Sequence, residues 1–288
     1  MYHIAMKELT KSQQIERSLM KKFRKEIWTK FVLALKRYDL IEEDDRIAVC
    51  ISGGKDSMLL AKLMQLLHRF SETKFDIIYL CMDPGYAPQN RKQIEENAKI
   101  LEIPITFFET NIFDSLVDIE KSPCYLCARM RRGHLYSQAQ KLGCNKIALG
   151  HHFSDVIETT LMGMLYGAQI QAMPPKLKSK NFEGMELIRP LYCVNEEDIL
   201  AWKNYNNLKF LQCACRFTEN CNNSEDEIAP SARLETKKLI KQLKKNIPEV
   251  ESHIFKSIHN VQLDTLVGIK YQDEDYDFVE LYNNKAKK

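Results

Sequence analysis

The chain has 288 residues, a formal net charge of +3, 44% hydrophobic residues and 28% charged residues, the balance of an ordinary folded protein with enough length for a substantial core. Ten glycines and nine prolines exclude collagen-like and low-complexity chains, and no run of roughly 18 apolar residues offers a membrane span. The opening MYHIAMKELTKSQQIERSLMKKFRKE is too polar for a secretory signal, so a cytoplasmic location is expected.

In chain order, residues 12–38 have the spacing of a basic amphipathic helix, with Ile27, Phe31, Leu35 and Tyr38 on one face. A buried strand over 46–51 (RIAVCI) ends in Ser52-Gly53-Gly54 and leads into a helix over 55–70. Strands then fall at 75–82, 103–108, 146–150 and 186–191, with helices over 90–101, 127–142 and 154–167 between them. Helices near 196–206, 230–246 and 249–262 complete the pattern. Strands alternating with helices define an α/β fold, an open parallel sheet flanked by helices, with helical N- and C-terminal extensions. Boundaries are set at a basic extension over 1–40, an α/β domain over 41–222, and a helical region with an acidic tail over 223–288.

Charge is segregated along this order. Eight basic residues within 17–37 face only Glu26, residues 124–154 contain no acid, and Lys176, Lys178 and Lys180 form a third basic run. Acids gather at 42–45 and 273–280. Together the basic runs suit a polyanionic partner, although each alone also reads as a solvated helix face.

The segment AVCISGGKDSMLLAKLM is a strand, a tight turn and a helix. Gly53 and Gly54 let a phosphate approach the main chain, and the unpaired amides of the following helix point at it. Ser52, Lys55, Asp56 and Ser57 would add charge and hydrogen bonds. The spacing is not that of a Walker A loop. The string SGGKDS resembles the PP-loop of the ATP-pyrophosphatase superfamily, with its adenine nucleotide alpha hydrolase-like fold. That resemblance implies ATP at the carboxyl ends of the strands, cleavage between its α- and β-phosphates, and adenylation of a substrate. Asp83, in the Cys81–Gly85 turn, is a candidate nucleotide contact, although an ordinary Asp-Pro-Gly turn is the plainer reading.

Nine cysteines are an odd count in a reducing compartment, which argues against a disulfide framework. Cys124-Tyr125-Leu126-Cys127 can grip a soft metal ion or cluster, and Cys213, Cys215 and Cys221 lie close together further on. Spacing alone leaves zinc, an iron–sulfur cluster or a thiol redox pair open. Cys50, Cys81 and Cys144 read as small core residues, and Cys193 as structural.

The run PCYLCARMRRGHLYSQAQKLGCNKIALGHHFSDVIETTLMGMLYG, followed by MPPKL and IRPL, resembles the tRNA 2-thiocytidine synthetase family, TtcA, over roughly residues 15–265. The family resemblance implies thiolation of C2 of an anticodon-loop cytidine in tRNA. It implies ATP, Mg2+ and a 4Fe–4S cluster held by three cysteines, of which Cys124 and Cys127 match the family pair. The family's later C-x-x-C is here Cys213-Ala214-Cys215, so Cys215 is the expected third ligand and Cys213 the alternative. GHHFSDVIET carries one acid where the family often has two. Asp155 is the candidate acid, base or metal ligand, although a helix N-terminal Asp favoured by the dipole is the plainer reading. Gly150 is expected at the nucleotide with one of His151 and His152, His151 being the candidate, while the other packs. Arg129, Arg131 and Arg132 are candidate RNA phosphate contacts or charge partners for a cluster of anionic thiolates, and each alone also reads as a solvated helix face. The implied partners are tRNA and a sulfur donor such as a cysteine desulfurase, with no membrane; a homodimer is possible. The alternatives are another tRNA base or a small molecule as substrate, or a non-catalytic ATP-binding protein with structural zinc.

Overall fold

A computed structural model of the chain describes residues 8–110, 112, 123–211, 232–272 and 274–285. A parallel strand covered on both faces needs a near-continuous apolar run. RIAVCI supplies it: every residue of β1 (Arg46–Ile51) after Arg46 is buried. β2 (Asp76–Asp83), β3 (Ile105–Glu109) and β4 (Lys146–Ala148) join it in parallel. β5 (Lys176–Lys178) pairs antiparallel with β6 (Glu186–Ile188), which itself runs parallel to β4.

The strand order is β3-β2-β1-β4-β6-β5. The chain moves outward from β1 through β2 to β3 and then returns to the other side of β1 with β4. The order therefore reverses between β1 and β4, and open α/β sheets bind ligands beyond the carboxyl ends of the strands at such a point. β5 was not expected from the sequence. Lys-Leu-Lys is a short edge strand whose Leu177 and Lys178 are exposed, so it carries no apolar run.

The expected single helix over 12–38 is three pieces: α1 (Lys11–Met20), a π-helical turn (Arg24–Trp28) and α2 (Thr29–Arg37). The buried residues explain the break. Ile15, Leu19, Phe23, Ile27, Phe31 and Leu35 repeat strictly every fourth residue. In a 3.6-residue helix that stripe drifts by about 40° per step. The wider π turn, with the bend before it, keeps the stripe on the core. Lys21, Lys22, Arg24, Lys25, Lys36 and Arg37 stay exposed on the opposite side.

α3 (Lys55–Phe70) and α4 (Pro88–Leu101) cover the sheet, with Met58, Leu59, Leu60, Leu63, Met64 and Ile94 fully buried. Lys62, on α3, is also fully buried. Its ammonium donates to Ser12 Oγ (2.9 Å), Gln65 Oε1 (2.8 Å) and the Leu101 carbonyl (2.9 Å), and pairs with Glu16 at 2.8 Å. This knot ties α1 to α3 and α4.

α5 (Pro123–Lys141) connects the carboxyl edge of β3 to the amino edge of β4. α6 (Phe153–Gly167) and α7 (Glu196–Tyr205) follow β4 and β6. α8 (Ala232–Asn246) and α9 (Val250–Ser257) close over α6, burying Ile240 and Phe255 with Val156, Ile157 and Tyr192. The acidic tail is not merely a tail. It folds into a hairpin, β7 (Gly268–Tyr271) and β8 (Glu274–Asp277), and a short helix, α10 (Phe278–Lys285). Among the described residues no helix is long and apolar enough to cross a membrane.

Candidate active site

The loop Ser52–Ser57 sits at the reversal of strand order, between β1 and α3. Gly53 has φ +82°, and a Cβ there would lie 2.6 Å from Ile94 Cγ1, so glycine is required on both counts. Its carbonyl accepts the Leu211 N–H at 3.2 Å. A methyl on Gly54 would meet nothing closer than 3.6 Å, which leaves that face of the loop open. The loop is locked from within. The Ser57 hydroxyl accepts the Ser52 N–H (3.2 Å) and donates to the Gly54 carbonyl (3.0 Å). The free amides of the first turn of α3 then face the crevice as an anion site.

Lys55 lies 3.0 Å from Asp56 and 3.2 Å from Glu196, the first residue of α7. Burial opposes its charge, but the two carboxylates raise its pKa above the usual lysine range. Glu196 also accepts a short hydrogen bond from Lys237 of α8. Burial works against the Glu196 carboxylate, yet the Lys237 bond and the charge of Lys55 hold its pKa down to about 2. Lys55, Glu196 and Lys237 thus form a charge chain from the loop to the C-terminal helices.

The end of β4 forms the other wall. A Cβ on Gly150 would lie 3.0 Å from the Asp56 carbonyl carbon and 3.0 Å from the Ser57 nitrogen. Glycine is what allows this strand end to lie against the loop backbone. The adjacent histidines then divide. His152 is buried, with Nε2 3.6 Å from Asp56 Oδ1 and Nδ1 3.4 Å from Asp155 Oδ2. Asp155 Oδ2 accepts the His152 N–H at 3.0 Å, which caps α6. His151 lies under the influence of Arg189. Burial and then the Arg189 charge lower its pKa to about 4, so it is neutral near pH 7.

Arg233 of α8 lies 3.7 Å from Asp155 Oδ1 and 3.5 Å from Glu158 Oε2. Glu158 is buried, and that burial raises its pKa. Asp56 Oδ1 is a buried carboxylate oxygen with no hydrogen-bond partner among the described residues. Asp155 stands at the other ring nitrogen of His152, and the unpartnered Asp56 oxygen suits a hard cation, which takes oxygen ligands.

Ser52, Gly53, Gly54, Lys55, Asp56, Ser57, Gly150 and Asp155 are therefore brought together, and His151 lies one residue to the side of them. Asp83 is used otherwise. Its Oδ1 accepts the Gly85 (2.9 Å) and Tyr86 (2.7 Å) amides, and its Oδ2 accepts from Arg91 at 2.7 Å. These bonds close the turn after β2. Burial opposes the Asp83 charge, but the Tyr86 amide and Arg91 hold its pKa below the usual carboxylate range.

Cys50, Cys81 and Cys144 are buried thiols whose pKa values burial raises, that of Cys81 to about 12. They suit the core and not nucleophilic work. Cys124 and Cys127 fall in the first turns of α5, which begins at the same edge of the sheet as the loop. Their side chains, and Cys213, Cys215 and Cys221 entirely, lie outside the described residues. Among the described residues no group of three or more His, Cys, Asp or Glu is placed to hold a metal. Arg131 donates to the Tyr86 hydroxyl at 3.3 Å, while Arg129 and Arg132 are exposed.

Sequence reading did not single out Glu196, Lys237 or Arg233 for the site. Asn195-Glu196-Glu197 signals only a helix start. Nothing in its spacing pairs it with a lysine 141 positions earlier.

A sheet reversing at a glycine loop that exposes helix amides defines a nucleotide-binding α/β protein. A family described as the PP-loop domain matches residues 8–221, and the chain belongs to it. Within it, the chain belongs with the tRNA-cytidine(32) 2-sulfurtransferases. It is 35% identical over 243 residues to the one from Syntrophotalea carbinolica, covering 83% of this chain and 90% of that protein. It is 32% identical over 270 residues to one from Francisella tularensis, covering 92% and 96%. Among solved structures, the U34-tRNA thiolase NcsA from Methanococcus maripaludis, with its 4Fe–4S cluster, has the same fold. The TM-score is 0.63 at 20% identity, over 81% of this chain and 78% of that one.

Proposed function

We propose that the chain is an ATP-dependent tRNA sulfurtransferase that thiolates C2 of a cytidine in the anticodon loop. The observation that carries this reading is the meeting of the Ser52–Ser57 loop with Asp56, His152 and Asp155 at the β1/β4 crevice. In this reading the α3 amides and Lys55 hold the ATP phosphates, and Asp56 and Asp155 would hold Mg2+, which would supply further positive charge there. The C2 carbonyl oxygen attacks the α-phosphorus, the α–β phosphoanhydride bond breaks, and pyrophosphate leaves with the bond's electron pair. Lys55 and the loop amides stabilise the charge that develops on it. An incoming sulfide sulfur then adds at C2, the C2–O bond breaks, and AMP departs.

Cys124, Cys127 and a third cysteine, Cys215 with Cys213 as the alternative, form a soft donor set that fits an iron–sulfur cluster. A 4Fe–4S cluster with three protein ligands would supply an iron with an open position for the sulfur. Two features of the fold support that location. α5 starts at the crevice edge, and Leu211, bonded to the loop at Gly53, precedes Cys213 by two residues, a reach of about 7 Å. A cysteine desulfurase is the proposed source of the sulfur; its persulfide is cleaved to sulfide by two electrons from a dithiol reductant, which leaves as the disulfide.

Metal content after anaerobic purification tests the cysteine assignment. About four iron and four acid-labile sulfide per chain, lost in Cys124→Ser, is the expected result. One tightly held zinc per chain would instead support a non-catalytic ATP-binding protein.

A further inference from the structure

Arg189 directly follows β6. It is 5% exposed, and its guanidinium donates to the Pro174 carbonyl while its backbone amide donates to Pro175. No carboxylate pairs with it among the described residues, and its Nε is buried without a partner among them. A buried charge without a contacting counterion is costly, Asp155 acting on it only from a distance, and an arriving anion would offset that cost. A second cation stands close by. Arg132, exposed on α5, lies one helical turn before Tyr136, which packs in one cluster with Leu187 of β6, and its charge is, after burial, the largest influence on Arg189. Burial first, then Arg189, with smaller contributions from Arg233 and Arg132 against Asp155, keeps His151 neutral.

This cluster is displaced from the phosphate loop. Ile188 pairs with Ala148, and the Leu149 N–H donates to the Ile188 carbonyl at 3.0 Å, so Arg189 is level with the residue before Gly150. It is two strands from β1, roughly 10 Å along the sheet edge. His151 and His152 stand between it and the loop. The anion it suits is therefore separate from one bound to the α3 amides.

We propose that Arg189 and Arg132 form a second anion site that holds a backbone phosphate of the RNA beside the target nucleotide. The proposal rests on the tRNA thiolation reading and names the residues that hold the RNA next to the activated base. Arg189 supplies a rigid fork suited to phosphate. Arg132 would add a second charge from α5, the helix that carries Cys124 and Cys127.

The test is binding of a synthetic anticodon stem-loop RNA to the full-length protein at several salt concentrations, with ATP affinity measured in parallel. Arg132 is exposed, so Arg132→Gln should fold normally; circular dichroism checks this. The variant should bind RNA about tenfold more weakly. The slope of log affinity against log salt should shrink by about 0.7–0.9, the signature of one lost phosphate contact. ATP affinity should stay as in the wild type. A single uncharged methylphosphonate linkage beside the target cytidine should weaken wild-type binding and leave Arg132→Gln unaffected. Arg189→Lys, which keeps charge but loses the fork, should show the same loss of methylphosphonate sensitivity. An unchanged salt slope in Arg132→Gln would overturn the proposal. So would a loss confined to ATP affinity, which would assign the site to a phosphate of the nucleotide. Failure of the wild type itself to bind the RNA while binding ATP would instead remove the tRNA reading.

Discussion

Lys55 is held between Asp56 and Glu196 at the mouth of the loop, so its ammonium is positioned before any phosphate arrives. Lys55→Met should lower tRNA-dependent pyrophosphate release by about 10²–10³-fold in kcat/KM, the usual cost of one oriented group that stabilises developing charge. Glu196 gives a pH prediction. Its folded pKa is about 2, against an ordinary value of 4.5. A depressed carboxylate pKa contributes stability that is complete above about pH 4.5 and is lost as the pH falls toward 2. Lys237→Met removes the bond that does most to lower that pKa. Urea unfolding should show the variant less stable than wild type at pH 7, with the gap narrowing as the pH drops through that window. SGGKDS and Asp155 were legible because each is local: a turn, a helix start and the charges on it. The Lys55–Glu196–Lys237 chain was not, because its members come from three helices and meet only through packing. The choice between His151 and His152 was equally illegible. Adjacent residues after a strand point to opposite sides, and the sequence does not say which side holds the loop.

The three glycines of the crevice do different work, and substitution should separate them. Gly53→Ala places a side chain at φ +82° and against Ile94, so it should lose stability by ~1–2 kcal/mol from the backbone alone. Gly54→Ala meets only ordinary contacts. It should melt like the wild type and lose ATP affinity, because its methyl occupies the phosphate side. Gly150→Ala pushes on the backbone of Asp56 and Ser57 and should impair both. A calorimetric melt and an ATP titration for each variant check the pattern; equal behaviour of Gly53→Ala and Gly54→Ala would refute it. At the knot between α1, α3 and α4, Glu16→Ala strands the fully buried Lys62. It should cost about 3–5 kcal/mol in urea unfolding, and Lys62→Met much less, since an apolar replacement leaves no charge behind. The parallel strands were readable because burial on both faces forces continuous apolar runs. β5 and the β7–β8 hairpin were not, because their residues are largely exposed and satisfy backbone pairing without an apolar pattern. The π turn at Arg24–Trp28 was written in the fourfold spacing of Ile15 to Leu35, which a plain helical reading passes over.

Across the protein, the +3 charge is the small remainder of separated runs. Exposed lysines and arginines line α1 and α2, Lys178 and Lys180 lie at or beside the β5 edge, and Arg129 and Arg132 are exposed on α5. Near the loop, Glu196 is spent on Lys55 and Lys237, and Asp83 on Arg91. A surface of this kind can take up RNA without an overall basic composition. If the loop holds ATP as proposed, the nucleotide would lie beside Leu211, two residues before Cys213, and activation of a base and delivery of sulfur would need no large movement between them. Nucleoside mass spectrometry of tRNA from a strain lacking this protein tests that union in a single readout. The 2-thiocytidine signal should vanish, return with the wild-type chain, and stay absent with either Lys55→Met or Cys124→Ser. Persistence of every thiolated nucleoside in the deletion strain would contradict the assignment, and full restoration by Cys124→Ser would contradict the role of the cysteines in it.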